Sequence, residues 1–341
     1  MFSSDFSDFY PDQMELLTGN LMAMDRPRHQ LMRGLISRAF TPRVIAQLAG
    51  RIGELTTELL DSSAEEYKLE LVADLAYPLP VIVIAELLGI PTEDRPMFKV
   101  WVDSMLSNDN VDPTDETAVE EGADTLRKVV DYLREHAVQR RLSPRRDLLS
   151  DLVAAEIDGH RLDDREIASF AAILFIAGHM TTTALLGNSI RCLDANPEAQ
   201  EQLRKYPEKL PTAIEEVLRY ESPFAKTSRV TPVEVELAGQ LIPPKQMIEV
   251  WFGSANRDER QFVDADEFQI DRSPNHHLGL GKGIHFCLGA PLARLETKIA
   301  LEIMLQRYSS IRVDYSHPIE PHPEPGFNGV TALHLDVEPA A

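Results

Sequence analysis

Apolar residues recur at the spacing of an α-helix in several long stretches, and this periodicity constrains the fold more than any other feature of the sequence. The first stretch follows Thr41-Pro42, a cap residue before a proline at the first helical position, and contains Val44, Leu48, Ile52, Leu55 and Leu59. Further helical patterns begin near residues 119, 163, 212 and 291. Alternating runs at 233–237 and 248–252 predict short strands. We therefore predict a mainly α fold with small β-sheets, in a single domain over residues 1–341.

Composition excludes several classes of protein. The 341-residue chain has 34 Lys and Arg against 55 Asp and Glu, a formal net charge of −21, whereas a nucleic-acid-binding protein needs a basic footprint. With 43% hydrophobic residues, the chain can fill one large core and is not disordered. We see no apolar run near the roughly 18 residues of a membrane span, and no signal peptide. A cytoplasmic protein that binds neither nucleic acid nor membrane is the resulting prediction.

The residues around one of the two cysteines, Cys287, favour a thiolate that can act as a metal ligand. Cys192 and Cys287 form neither a CxxC pair nor a disulfide framework, which indicates a reducing compartment. Around Cys287, a loop with Gly281, Gly283 and Gly289 allows tight turns and leads directly into a helix start, whose partial positive charge stabilises a thiolate. A buried structural role is the alternative for a lone cysteine, and we assign that role to Cys192. The thiolate of Cys287 can instead ligate haem iron.

The loop from Gly281 to Gly289 resembles the haem-binding loop of the cytochrome P450 family, with Leu280 where the family usually has phenylalanine. The resemblance implies heme b (iron protoporphyrin IX), with Cys287 as the axial iron ligand and Gly289 beside it. It implies the fold of this family and a soluble monooxygenase. It also implies that the chain lacks about the first 60 residues of the usual bacterial length.

A second motif, Glu216-Val-Leu-Arg219, places an acid and a base three positions apart, where they can pair on one helix face. Most such pairs lie on solvated helix surfaces. This one precedes Cys287 by roughly 70 positions and so resembles the structural ExxR motif of the family. Its further partner is expected from residues 256–258, with Arg260 or Arg272 as alternatives.

A third motif, Ala177-Gly178-His179-Met180-Thr181-Thr182, interrupts the most apolar helical pattern with residues that disfavour a helix interior. Its hydroxyls can simply bond back to carbonyls one turn earlier. The motif also resembles the oxygen-binding segment of the family, in which Gly178 beside Ala177 makes room for dioxygen and Thr181 helps to hold the protons. Met180 replaces the usual acid, so the proton source is a water chain, the substrate itself or His179.

The same resemblance assigns the haem propionates and the substrate pocket. His29 and Arg33, four positions apart after Asp25-Arg-Pro27, are similar to the pair that binds propionates, and Arg229 and His285 match two further contacts. The substrate pocket is expected to be lined by Ile173, the 100–110 region, Phe224 to Thr227 with Ala225 among them, and Gly326 to Asn328 with Phe327 among them.

These assignments imply hydroxylation or epoxidation of a medium-to-large apolar small molecule in secondary metabolism. Met180 followed by Thr181-Thr182-Thr183 looks like hydroxylases of macrolides and other polyketides. The chain has no glycine-rich dinucleotide fingerprint, so we expect electrons from a ferredoxin or flavodoxin with its reductase, docking near Lys282. The alternatives are a non-catalytic or inactive haem- or ligand-binding protein, a haem-free structural protein and a peroxide-driven oxidase.

Overall fold

Helices dominate the computed structural model, which describes residues 2–10, 18–62, 67–94, 96–97, 100–101, 104, 116–323 and 326–340. The helices are α1 Arg28–Ala39, α2 Pro42–Gln47, α3 Ala49–Ser62, α4 Pro78–Leu88, α5 Glu116–Leu142, α6 Leu148–Ala154, α7 Asp164–Ala195, α8 Pro197–Lys205, α9 Leu210–Tyr220, α10 Phe252–Asn256 and α11 Ala290–Arg307. A π-helical turn, Val72–Ala76, precedes α4. The predicted mainly α fold class is confirmed.

The first predicted helix is two helices in the structure. The chain becomes helical at Pro42 as expected, but α2 ends at Gln47 and α3 resumes at Ala49. At the break, the N–H of Leu48 donates to the carbonyl of Ile45 at 3.0 Å, a bond one residue shorter than the α-helical one. The prediction of one continuous helix is therefore wrong here, because a local tightening of the backbone does not disturb the apolar spacing that signals a helix.

The strands form small sheets of two or three strands. They are β1 Lys68–Glu70, β2 Glu156–Ile157, β3 His160–Arg161, β4 Lys226–Val230, β5 Val235–Leu237, β6 Gln240–Ile242, β7 Met247–Trp251, β8 Tyr308–Val313 and β9 His334–Pro339. In the order β1-β9-β8, Leu335 of the central strand lies opposite Leu69 on one side and Val313 on the other. The remaining strands pair as β2-β3, β4-β7 and β5-β6. Both predicted strands are present, as β5 and β7.

The chain divides into two compact units. Unit 1 comprises Met1–Thr41, Ile84–Ala177 and Thr227–Val250, and unit 2 comprises Pro42–Val83, Gly178–Lys226 and Trp251–Ala341. In unit 2, α11 packs against α3, α8, α9 and β8, so the helix that follows the cysteine loop lies in the core of this unit. The assignment of residues 1–341 to one domain stays a prediction.

Helix α7 is the longest helix of the described residues and carries the Gly178–Thr182 motif. Residues 167–190 contain no Asp, Glu, Lys or Arg, so by length and composition this helix could cross a membrane. The statement that no apolar run approaches a membrane span is therefore wrong. However, 61% of the most apolar stretch is buried inside the protein, as in the core helix of a water-soluble domain.

Candidate functional site

The Glu216–Arg219 ion pair on α9 lies at the centre of unit 2. Both side chains are fully buried, and the guanidinium meets the carboxylate with two parallel bonds, Nε to Oε2 and Nη2 to Oε1, each 2.8 Å long. The i, i+3 spacing places both groups on one face of α9. A bidentate pair of this kind is shorter and stronger than an ordinary hydrogen bond.

The buried pair holds the irregular segment between α10 and α11. Arg219 donates to the carbonyl of Asn256, the last residue of α10, at 2.9 Å, and to two carbonyls of the segment, those of Ala265 at 2.7 Å and Glu267 at 2.8 Å. Glu216 in turn accepts from Arg272 Nε at 3.0 Å. It also accepts from the N–H of Gln269 at 2.9 Å and from Asn275 Nδ2 at 3.1 Å.

Among the candidate third partners, the structure selects Arg272 and Asn256. Arg260 instead pairs with Asp258 on the surface. Arg257 lies over the ring of Tyr220, 3.5 Å from its centre. Asn256 also accepts, through Oδ1, from the N–H of Leu278 at 2.7 Å, so the network extends into the cysteine loop.

The cysteine loop packs directly against α9. A Cβ atom on Gly279 would lie 2.4 Å from the carbonyl oxygen of Leu218, so only glycine fits this approach of two backbones. Further along, Gly281 and Gly283 have φ values of 70° and 74°, which side chains other than glycine rarely adopt. The N–H of Cys287 then donates to the carbonyl of Leu280 at 2.8 Å, which closes the loop.

The loop leaves the Cys287 sulfur half-buried just before α11. Gly289 precedes the first helical residue, and an added Cβ there would lie 3.9 Å from Sγ. The positive dipole end of α11 is therefore close to the sulfur. Cys192, in contrast, is buried in α7, where burial raises the pKa of its thiol. The two cysteines thus occupy opposite environments, as the sequence suggested.

A second ion-pair cluster supports the same loop, and the sequence analysis missed it. Glu215 accepts from Arg294 Nε at 2.6 Å and from Nη2 at 2.7 Å, and it lies 3.0 Å from His277 Nε2. Burial opposes ionisation of Glu215, but the bonds from His277 and Arg294 outweigh it and lower its pKa to about 2. The cluster joins α9, the loop and α11. Two features of the sequence could have indicated this cluster: an acid next to Glu216 and an arginine seven positions after Cys287.

The Ala177–Thr183 segment of α7 has two different sides. His179 is buried and its ring meets that of Tyr77 edge-on, 5.1 Å between centres. Thr182 donates to the carbonyl of Gly178 at 2.8 Å, and Thr183 donates to that of Ala76 at 2.8 Å. Thr181 lies on the other side of the helix with Ala177, Gly178 and Met180, all half-buried. The hydroxyls of Thr182 and Thr183 therefore have structural partners, and the half-buried face carries Thr181.

The four residues assigned to propionates are divided between the units. In unit 1, His29 is buried on α1, and its pKa is lowered first by burial and then by the charge of Arg33. Arg33 follows one turn later, and Arg229 lies on β4 with Nη1 donating to the carbonyl of Ser228 at 2.6 Å. In unit 2, the half-buried His285 ends the 3₁₀ turn before Cys287.

The expected substrate residues are placed as follows. Phe224 and Phe327 of unit 2 form an isolated antiparallel bridge, and their rings meet edge-on with centres 5.4 Å apart. The N–H of Ala225 donates to the carbonyl of Gly326 at 2.8 Å. Ile173 is half-buried on the unit 1 part of α7. Most of the 100–110 region lies outside the described residues.

Comparison with known proteins gives consistent matches along nearly the whole chain. The family model described as Cytochrome P450 matches residues 3–206 and 208–330. Cyclomarin C epoxidase CymV of Salinispora arenicola is 43% identical over 338 residues, which are 98% of this chain and 85% of that protein. The erythromycin C-12 hydroxylase of Saccharopolyspora erythraea is 43% identical over 298 residues, which are 87% of this chain and 75% of that protein.

A solved structure agrees in fold as well as in sequence. HmtT, a protein involved in himastatin biosynthesis, is 46% identical and superposes with a TM-score of 0.89. The match covers 98% of this chain and 87% of that one.

We expect Gly279→Ala to destabilise the protein, because its Cβ would meet the Leu218 carbonyl and the backbone would have to shift. The expected loss in the free energy of unfolding is about 1–3 kcal/mol, as for overpacked cores. Denaturant unfolding measures it. Gly50→Ala is the matched control, since no atom lies within 4 Å of its added Cβ. Equal stability of the two variants would contradict the close packing of α9 and the loop.

The Glu215 cluster predicts a specific pH dependence. The folded-state pKa of Glu215 is about 2, below the unfolded value of about 4.3, so its contribution to stability is present above pH 4.3 and disappears as the pH falls towards 2. Wild type should therefore exceed Glu215→Gln in the free energy of unfolding at neutral pH, and the difference should shrink between about pH 4 and pH 2. A difference that stays constant over this range would refute the ion pairs.

Proposed function

The chain belongs to the cytochrome P450 family, and on that premise we propose that it hydroxylates or epoxidises a medium-to-large apolar small molecule of secondary metabolism. As a member, it is a monooxygenase with a b-type haem. The observation that carries the proposal is the half-buried sulfur of Cys287 at the end of the glycine loop and the start of α11.

The residues around Cys287 fit a haem-thiolate centre. A side chain at position 289 would place its Cβ 3.9 Å from the sulfur of Cys287. Because residue 289 is glycine, this side of the sulfur stays clear. Arg294 holds positive charge nearby: its pKa is raised first by the bond to Glu215, and the charge of Cys287 contributes to the same shift. When bound, the haem supplies the activation of dioxygen and the insertion of one oxygen atom into a C–H or C=C bond. We assign the role of iron ligand to Cys287, which would hold the iron through its thiolate.

The propionates need cationic or hydrogen-bonding partners, because desolvating an unpaired carboxylate is costly. We assign this role to His29, Arg33, Arg229 and His285. An arginine guanidinium suits it best, since its forked donors match a carboxylate.

Proton delivery is assigned to the half-buried face of α7. Thr181 can organise water with its hydroxyl, and we assign to Gly178, beside Ala177, the role of making room for dioxygen. Met180 can neither donate nor hold a proton, because its thioether sulfur is only a weak acceptor. His179 is directed at Tyr77 on the other side of the helix, which disfavours it as the source. We infer that protons arrive through water held by Thr181 and by a polar group of the substrate.

The names of the relatives support a secondary metabolite as substrate. Two of them are a cyclomarin C epoxidase and an erythromycin C-12 hydroxylase. Within that class, we propose a macrolide or other polyketide. Two electrons would come from a ferredoxin or flavodoxin with its reductase, docked by charge near Lys282, in the cytoplasm.

We expect Cys287→Ser to abolish the thiolate-type spectrum of the ferrous carbon monoxide adduct, because a hydroxyl oxygen cannot replace the thiolate donor. The difference spectrum of purified protein measures this. Cys192→Ser is the matched control and should leave the spectrum unchanged, since Cys192 lies buried in α7. The reverse pattern would overturn the assignment.

Position 180 carries methionine in place of an acid. We therefore expect a substrate with a hydroxyl or carbonyl near the oxidised carbon to give more product per electron consumed than an analogue without that group. The analogue should divert reducing equivalents into hydrogen peroxide, because no side chain on this face supplies protons. Product formed per NAD(P)H consumed by the redox system measures the coupling. Met180→Asp should restore coupling for the analogue. Equal coupling of both substrates, with no loss in Thr181→Ala, would show that protons take another route.

A further inference from the structure

Three aromatic rings of unit 2 form a continuous row. The His322 ring meets the Phe327 ring with centres 4.7 Å apart at 66°, and Phe327 meets Phe224 with centres 5.4 Å apart at 75°. Both are edge-to-face contacts, the favoured geometry of aromatic pairs. The row runs from the half-buried His322 to Phe224, which is 43% exposed, so it ends at an open surface.

The backbone holds this row rigidly. The segment before β4 and the segment around Phe327 are joined by bonds from the N–H of Ala225 to the Gly326 carbonyl at 2.8 Å and from the N–H of Asn328 to the Pro223 carbonyl at 2.7 Å. The N–H of His322 donates to the Gly329 carbonyl at 2.9 Å, which brings the imidazole ring back onto Phe327. Aromatic rings held by paired backbone segments are suited to ligand binding, because little conformational entropy is lost when the ligand binds.

The row stands next to the part of α7 that carries Thr181. An added Cβ on Gly329 would lie 2.8 Å from Cε1 of Phe327 and 3.1 Å from Cβ of Ala184, so both side chains closely approach Gly329. Ala184 is three residues after Thr181, on the same side of the helix and roughly 4.5 Å along its axis. Asn188, one turn further, donates from Nδ2 to the Asn328 carbonyl at 2.8 Å.

The end of the row is unlike a simple core. A core aromatic ring is enclosed, whereas Phe224 is 43% exposed. His322 lies at the half-buried end, where burial lowers its pKa, so the ring that supports Phe327 is neutral at neutral pH. A neutral ring packs against Phe327 without placing a charge behind the two phenylalanine rings.

We propose that Phe224 and Phe327 form an aromatic wall that selects substrates with an aromatic ring near the oxidised carbon, and that His322 is a positioning residue that fixes Phe327 from behind. This inference rests on the proposed function, because it concerns the substrate side of the same site. It narrows the substrate class within secondary metabolites to molecules that carry an aryl group.

The test compares 4-phenylimidazole with 4-cyclohexylimidazole, which share the imidazole and differ in whether the six-membered ring is aromatic. The dissociation constants are measured on the haem-loaded protein by spectral titration and, independently, by calorimetry. We expect wild type to prefer the phenyl compound although the cyclohexyl ring is the more hydrophobic. Phe327→Leu should reduce the ratio of the two affinities roughly 3- to 10-fold, the range that a favourable aromatic pair supplies.

His322 is tested with two substitutions. His322→Leu should reduce the affinity ratio in the same direction, and His322→Phe should preserve it, because an aromatic ring behind Phe327 remains. His317→Leu is the matched control: His317 also stacks on another ring, that of His334 at 4.1 Å, and lies in the same unit. It should leave the ratio unchanged.

Two outcomes would overturn the inference. One is a ratio that does not change in Phe327→Leu. The other is an equal loss of both affinities in His322→Leu, which would make His322 merely structural. If His322→Leu does not fold, a ratio altered in His322→Phe would refute the positioning role. Failure of the proposed function is separate, since it would appear as a wild-type protein without the thiolate-type carbon monoxide spectrum.

Discussion

The buried ion pair between Glu216 and Arg219 is the interaction on which the site depends. Removing one partner of such a pair costs about 3–5 kcal/mol, because the remaining charge stays buried without compensation. Here both charges are compensated beyond their own pairing, Arg219 by three backbone carbonyls and Glu216 by Arg272, Gln269 and Asn275. A segment without regular secondary structure obtains backbone hydrogen-bond partners in this way, as buried carbonyls require.

The position of the Cys287 sulfur follows from that network. Arg219 fixes the irregular segment. The segment leads into the loop, where the N–H of Leu278 donates to Asn256 and Gly279 packs against the backbone of α9. After the loop, Arg294 of α11 donates to Glu215, the neighbour of Glu216 on α9. The loop is therefore held to the same helix before and after the cysteine, and this limits where the sulfur can lie.

Helix α7 serves two functions with one apolar sequence. On one side, His179 packs against Tyr77, and the hydroxyls of Thr182 and Thr183 donate hydrogen bonds to backbone carbonyls. The side that carries Thr181 also carries, three residues later, the buried Ala184, next to Phe327 of the aromatic row. The helix thus brings the group assigned to protons next to the rings proposed to select the substrate.

Local patterns determined a large part of this protein from sequence alone. Apolar spacing predicted the helical regions that hold α2 with α3, α5, α7, α9 and α11, and with them the fold class. The glycine loop before a helix start distinguished Cys287 from Cys192, because turns, caps and helix starts depend on residues close together in the chain. The structure decided what depends on distant residues. Spacing could not tell that Arg272 rather than Arg260 reaches Glu216, that Glu215 joins His277 and Arg294, or that Gly329 lets Phe327 stand beside Ala184. Such contacts join residues dozens to more than a hundred positions apart, and only packing brings them within hydrogen-bond or van der Waals distance.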